Sequence, residues 1–370
     1  GIILGNPNLK GQAAQVILNQ VTGGNRSTLA GYTEVAGQSA RVIVANPHGI
    51  TCQGCGFINT PRATLTTGKP IMDGQRLERF QVDGGDIVVE GAELNVGNLE
   101  QFDLITRSAK LKRQAPTRRT STSSPAGNDV QADSLQATPR AADGSEKPQL
   151  AIDSSALGGM YAGAIRLVGT EQGVGVKLAG DMAASGGDIR IDASGKLSLA
   201  QASSQGDLKI AAQAVELNGK TYAGGSAEIR SAEELVNRQS LAARERIALE
   251  AAHIDNAGVI EAGVEPDERR NARGDLELRS GTLRNAGSLV ASRALEAKAS
   301  QALDNQGGSL KGATVRVDGG HLDNRGGKLL AEANCGSRRA AWTTARTACC
   351  RAGTAPWSRP VAISTTVAAR

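Results

Sequence analysis

Cys52 and Cys55 form a Cys-Gln-Gly-Cys pair with His48 shortly before it. Thiols and an imidazole at this spacing are the residues of a zinc site or a redox centre. Zinc needs two further ligands, and the remaining histidines, His253 and His321, lie far along the chain. A redox CxxC is expected to open a helix in a βαβ setting, and no such pattern follows. Arg273-Gly274-Asp275 spells an integrin-type attachment triplet, yet Gly274-Asp275-Leu276-Glu277-Leu278 repeats the step seen in Gly187-Asp188-Ile189-Arg190-Ile191 and Gly85-Asp86-Ile87-Val88-Val89. Only Arg273 is extra, which favours coincidence. The basic cluster Lys110, Lys112, Arg113, Arg118 and Arg119 has the charge to hold sulfated glycans, against the plainer reading of a solvated loop. Asp and Glu are scattered at turns, and no nucleophile–base constellation stands out. A polysaccharide-active enzyme would need clustered acids and aromatic platforms. We therefore expect no enzyme, no metal and no cofactor.

The elements that must carry these residues are short. Asp188-Ile189-Arg190-Ile191, Lys196-Leu197-Ser198-Leu199 and Asp207-Leu208-Lys209-Ile210 each alternate apolar and polar residues, as half-buried strands do. Gly, Asn and Ser punctuate them. Gly187, Gly206 and Gly225 fall 19 residues apart, and Asn237, Asn256, Asn285, Asn305 and Asn324 follow at spacings of 19, 29, 20 and 19. The polar stretch 265–271 accounts for the long gap as an inserted loop. Forty-six Gly and only three Phe, three Tyr and two Trp suit a thin, stacked core of small aliphatic residues. The predicted fold is all-β, a right-handed parallel β-helix (β-solenoid) with an inserted flexible loop and an irregular C-terminal tail. Residues 232–252 have helical composition, but the register on either side assigns them to coils. Phe57, Phe80 and Phe102, 23 and 22 apart, are expected to stack as one ladder.

The net charge of +5 is misleading for partners. Residues 335–370 hold six Arg and no Lys, Asp or Glu, leaving 36 basic against 37 acidic residues elsewhere. A nucleic-acid footprint is therefore not expected. No apolar run is long enough to span a bilayer, so the chain is not membrane-integral by this criterion. It starts at Gly1 without a recognisable signal peptide.

Two Asn-Pro turns remain: Asn6-Pro7-Asn8-Leu9, and Asn46-Pro47-His48-Gly49-Ile50 running into Thr51-Cys52-Gln53-Gly54-Cys55-Gly56-Phe57-Ile58-Asn59-Thr60. With Ala156-Leu157-Gly158-Gly159-Met160-Tyr161-Ala162 and Leu167-Val168-Gly169-Thr170-Glu171, in this order, they resemble the secretion domain of filamentous-haemagglutinin-type exoproteins. The resemblance implies two-partner secretion: export through the periplasm by an outer-membrane β-barrel transporter, delivery to the cell surface or medium, and host-cell surface receptors or glycans as targets. It also implies that the two Asn-Pro motifs contribute to secretion, either as coil corners or by direct recognition. The family more often has Asn where His48 stands. A missing N-terminal piece is expected, because the first motif normally lies well inside the domain. In an exported protein Cys52 and Cys55 read as a local disulfide or two packed thiols.

Under this reading, 1–112 is the later part of the secretion domain, 113–148 a low-complexity loop and 149–185 the end of the domain. Residues 186–334 are haemagglutinin-type repeats of about 19–20 residues. The basic tail 335–370 reads as a divergent terminal cap or, the preferred reading, as frameshifted sequence. The function expected is a surface adhesin. The alternatives are a contact-dependent growth inhibition exoprotein, a haemolysin, or, in another class, a β-helix polysaccharide-active enzyme.

Overall fold

A computed structural model describes residues 11–90, 96–112, 128–139, 150–153, 159–169 and 175–343. Among these residues every regular element is a β-strand. The chain divides into two compact units, Gly1–Ser198 and Leu199–Arg370.

The second unit is a parallel β-solenoid. Leu208–Ala212 pairs with Ala227–Ser231, then in turn come Arg246–Asn256, Asp275–Asn285, Ala294–Asp304, Ser309–Asp323 and Lys328–Thr343, all parallel. Alternation decides which residues face inward. Leu208, Ala227, Ile247, Leu276, Leu295 and Val315 fall opposite one another and are all buried. Leu241, Ile260, Leu289, Leu310 and Leu329 form another such column. Residues 232–252 form no helix but the strands Glu234–Asn237 and Ser240–Ala243 and the start of Arg246–Asn256, because stacking on both neighbours outweighs their helix propensity. The insertion is present too. Residues 263–274 leave between Val259–Ala262 and Asp275–Asn285, close on a Val264–Arg270 bridge and are tied down by Glu265 to Arg244 (2.9 Å).

Strand pairing continues beyond Asn334, where the side-chain pattern ends, to Asp323 opposite Thr343. The expected break at 335 is thus not a break in the backbone, whose ladder needs no particular side chains. Residues 344–370 lie outside the described residues.

In the first unit Val16–Gln20, Arg41–Ala45, Arg62–Thr66, Gln101–Thr106, Ile165–Gly169 and Ile189–Ala193 stack in parallel. A second face is built from Ser27–Glu34, Ile50–Ile58, Asp86–Glu90, Ser108–Lys112 and Leu150–Asp153. Between coils the chain leaves to form an antiparallel sheet of Lys69–Asp73, Arg76–Val82, Asn128–Gln131 and Ala137–Pro139. Its Phe80, Val82, Val130, Ala132 and Leu135 pack on Ile43, Ile105 and Val168.

Two expectations are corrected by this sheet. Phe80 belongs to it, whereas Phe57 lies opposite Thr33 and Phe102 opposite Ala63 and Ile165, so there is no Phe ladder. The hairpin excursion produces the 22–23 spacing. Within the stretch expected to be a flexible loop (113–148), residues 128–139 are built into the sheet, because the coil wall supplies the other half of the core. Residues 113–127 and 140–148 lie outside the described residues.

Candidate functional site: the Asn46 corner

Asn46 ends one strand of the solenoid and turns the chain toward the next. Its Oδ1 accepts from the His48 N–H (2.9 Å), and its carbonyl accepts from the Gly49 N–H (3.0 Å). This is an Asx turn nested in a β-turn, with Pro47 supplying the fixed φ at the first central position. The side-chain amide donates backwards to the preceding coil, to Asn25 O (3.0 Å) and Ser27 Oγ (2.8 Å). The Asn46 N–H donates forward to Thr66 O (3.0 Å). Asparagine is required by this set. Aspartate could accept from His48 but could not donate to Asn25, and would bury a charge against that carbonyl.

Two glycines let neighbouring coils close over the corner. Gly49 has φ +106°, and a Cβ there would sit 2.5 Å from Arg26 Nη1. Gly85 has φ +72°, and its Cβ would sit 2.5 Å from Pro47 O. Arg26 donates through Nε to Thr51 Oγ1 (2.7 Å) and through Nη2 to Ile50 O (2.9 Å), and it pairs with the Asp86 carboxylate. The result sorts the motif by accessibility. Asn46, Gly49 and Ile50 are buried, Pro47 is half-buried and His48 is exposed. The accessible positions of the folded corner are Pro47 and His48, while Asn46 fixes the shape of the turn.

The other candidates fall elsewhere. Asn6, Pro7, Asn8 and Leu9 lie outside the described residues. Cys52 and Cys55 are buried and joined by a disulfide with Cα atoms 5.2 Å apart, across Gly54, at a bulge in the pairing with Ser27–Glu34. Gly274 donates its N–H to Ser292 Oγ (2.8 Å), Arg273 reaches Glu265 (3.3 Å), and the Asp275 carboxylate is held by both Arg293 Nε (2.7 Å) and Nη2. The Arg293 hydrogen bond keeps Asp275 below the usual carboxylate range. A receptor that needs a free carboxylate would have to break this fork. Of the basic cluster, Lys110 and Lys112 are on the strand Ser108–Lys112, and Arg113, Arg118 and Arg119 lie outside the described residues.

Asp103 is a buried carboxylate that no motif flagged. It accepts from Arg62 Nε (2.6 Å), Thr64 Oγ1 (2.9 Å) and Gln101 Nε2 (2.6 Å). Arg41 stands 3.6 Å away, its pKa lowered to about 10 by burial and then by Arg62. Carboxylate, hydroxyl and guanidinium groups bond to one another across the strands here, although Arg62 Nη2 is buried without a partner, an arrangement that holds strands together. Arg26, Ser27, Gly85 and Asp86 were also missed at the corner. They are one coil away, 19 to 60 residues from their partners, and no local spacing reveals them.

A family model described as the TPS secretion domain matches residues 6–199. The chain belongs to the TPS secretion domain family. Haemagglutinin repeat models match 200–239, 222–266 and 271–335. The first match ends at residue 199 and the first repeat match begins at 200, beside the division between the two units. The chain is 46% identical to the 16S rRNA endonuclease CdiA of Enterobacter cloacae subsp. cloacae, over 62% of this chain and 7% of that protein. It is 37% identical to the tRNA nuclease CdiA of Yersinia mollaretii, over 88% of this chain and 11% of the relative. A crystal structure of a filamentous hemagglutinin secretion domain gives a TM-score of 0.42 at 24% identity, covering 75% of each chain. The chain thus spans only a small part of these CdiA relatives. A TPS secretion domain followed by haemagglutinin repeats marks a secreted or cell-surface exoprotein of the two-partner type. Among the described residues, no helix is long and apolar enough to cross a membrane.

Proposed function

We propose that this chain is the export and shaft-forming segment of a filamentous-haemagglutinin-like surface adhesin. Its partner is an outer-membrane β-barrel transporter, which meets the Pro47–His48 edge of the Asn46 corner. The observation carrying this reading is the split within one motif: Asn46 is buried with its side-chain amide and carbonyl all hydrogen-bonded, while His48 is exposed on the same turn. The segment itself acts by folding and display, with adhesion a property of the shaft and of host receptors or glycans. Replacing Asn46 with Ala, then measuring both export and the unfolding of the purified chain, tests the reading. Export should fall well before folding is lost. Export that falls only in step with stability would reduce the corner to a folding element.

A second reading has its own support. The relatives at 37–46% identity carry the names of CdiA nucleases, which favours a parent that inhibits the growth of neighbouring cells. Co-culture of cells displaying the parent protein with susceptible cells separates the two. Contact-dependent killing would favour this second reading, and attachment without killing the adhesin.

A further inference from the structure

We propose that the surface read during export is a composite of three coils, in which Arg26 is the positioning residue that locks the Pro47–His48 edge. The inference rests on the reading of the Asn46 corner as the export site. Arg26 comes from the coil before the corner. Its Nε reaches Thr51 Oγ1 (2.7 Å) and its Nη2 reaches Ile50 O (2.9 Å), both on the corner's own coil. Its Nη1 pairs with the Asp86 carboxylate and its Nη2 reaches Asp86 O (3.2 Å), on the coil after. One planar fork therefore ties three successive layers at the point where the chain turns. A lysine ammonium, a point charge without that fork, could not reproduce it.

The same atoms define what a partner meets. The Arg26 and Asp86 side chains are 32% and 33% exposed, and Arg26 Nη1 and Asp86 O lie against Gly49, the residue after the exposed His48. The turn that carries Pro47 and His48 is thus bordered at Gly49 by the Arg26–Asp86 ion pair. The close fit over Gly49 places the guanidinium against the turn's backbone, so loosening Arg26 frees the turn it covers. The partner that fits is a periplasmic protein face with polar groups for this charge pattern and an apolar spot for the proline ring, the transporter already proposed.

The test uses the full chain, co-expressed with a two-partner-secretion transporter that exports the wild type. Arg26→Gln, Arg26→Lys, Asp86→Asn and Asn46→Ala are compared for exported fraction, for unfolding midpoint, and for hydrogen exchange at the His48 and Gly49 amides. Asp86→Asn, which loses one charge-assisted contact, should speed exchange at those two amides about tenfold and cut export by a similar factor, and Arg26→Gln, which loses all the guanidinium contacts, should do so at least as strongly. The unfolding midpoint should move little, and Arg26→Lys should be intermediate. Faster exchange with undiminished export in Arg26→Gln would overturn the inference, as would lost export with unchanged exchange. If Arg26→Gln fails to fold, Asp86→Asn carries the test, because it leaves the contacts to Thr51 and Ile50. If Asn46→Ala lowers export and the Arg26 and Asp86 variants do not, only this inference falls. Undiminished export of Asn46→Ala would sink the reading of the corner itself.

Discussion

Asn256 Nδ2 donates to Asn285 Oδ1 at 2.7 Å, although 29 residues of chain separate them. The link is one rung of a ladder. Asn237 donates to Asn256 (2.7 Å), Asn285 to Asn305 (2.6 Å) and Asn305 to Asn324 (2.5 Å), all within the buried interior. Past Asn237, which only donates, each amide accepts from the rung before it and donates onward. The longer gap is absorbed by the 263–274 loop, which leaves the rung undisturbed.

Replacing Asn285 with Ala should cost about 1–3 kcal/mol, because it removes the Asn256 amide's shortest acceptor and the donor to Asn305 Oδ1 in the buried interior. Asn237→Ala should cost less. Asn237 begins the ladder and its Oδ1 already lacks a partner, since Leu217 stands opposite in the preceding coil. Urea unfolding of the two variants checks the order. Equal losses would mean that the rungs contribute independently of their place.

Asp275→Asn tests the attachment triplet. With its carboxylate held by Arg293, Asp275 serves the joint between Asp275–Asn285 and Ala294–Asp304. The variant should unfold at lower urea concentration and leave attachment to integrin-bearing cells at the wild-type level. Attachment that drops at unchanged stability would assign the triplet to a receptor after all.

The repeat was legible in the sequence because its information is periodic. The Asn markers, the Gly-Asp steps and the alternation in Ile189–Ala193 all report the same register, and stacking turns that register into structure. Even the interruption at 265–271 was visible, as a composition change inside a fixed spacing. The antiparallel sheet was not. Val130, Ala132 and Leu135 are too few to signal a core, and their packing partners Ile43 and Val168 lie on distant coils. At the Asn46 corner the turn chemistry was readable from Asn-Pro. Its clamp was not, because Arg26 and Asp86 come from the coils on either side. The burial that separates Asn46 from His48 exists only once coils stack.

The pH response of the Asp323 pair is also defined. Hydrogen bonds from Arg325, first its side chain and also its backbone N–H, hold the Asp323 carboxyl at about 2 against an ordinary 3.8. A depressed carboxyl pKa stabilises the fold above the unfolded value, and that stabilisation is lost as pH falls through the folded one. The difference in urea midpoint between wild type and Asp323→Asn should therefore be present at pH 6, shrink below 3.8 and vanish near 2. It should be small, because Arg325 is largely exposed and water screens the pair. A difference that persists unchanged at the lowest pH would show that the carboxylate charge is not its source.

The most direct measurement of the central claim is photo-crosslinking during export. A photoreactive residue replaces His48 in one protein and, as a control, Gln53 in another, which is exposed on the Ile50–Ile58 strand of the same coil. Capture of the tagged outer-membrane transporter from position 48, and much less from position 53, is the predicted result. Equal capture from both positions, or none from position 48 while export proceeds, would contradict the assignment of the Asn46 corner as the surface that the transporter meets.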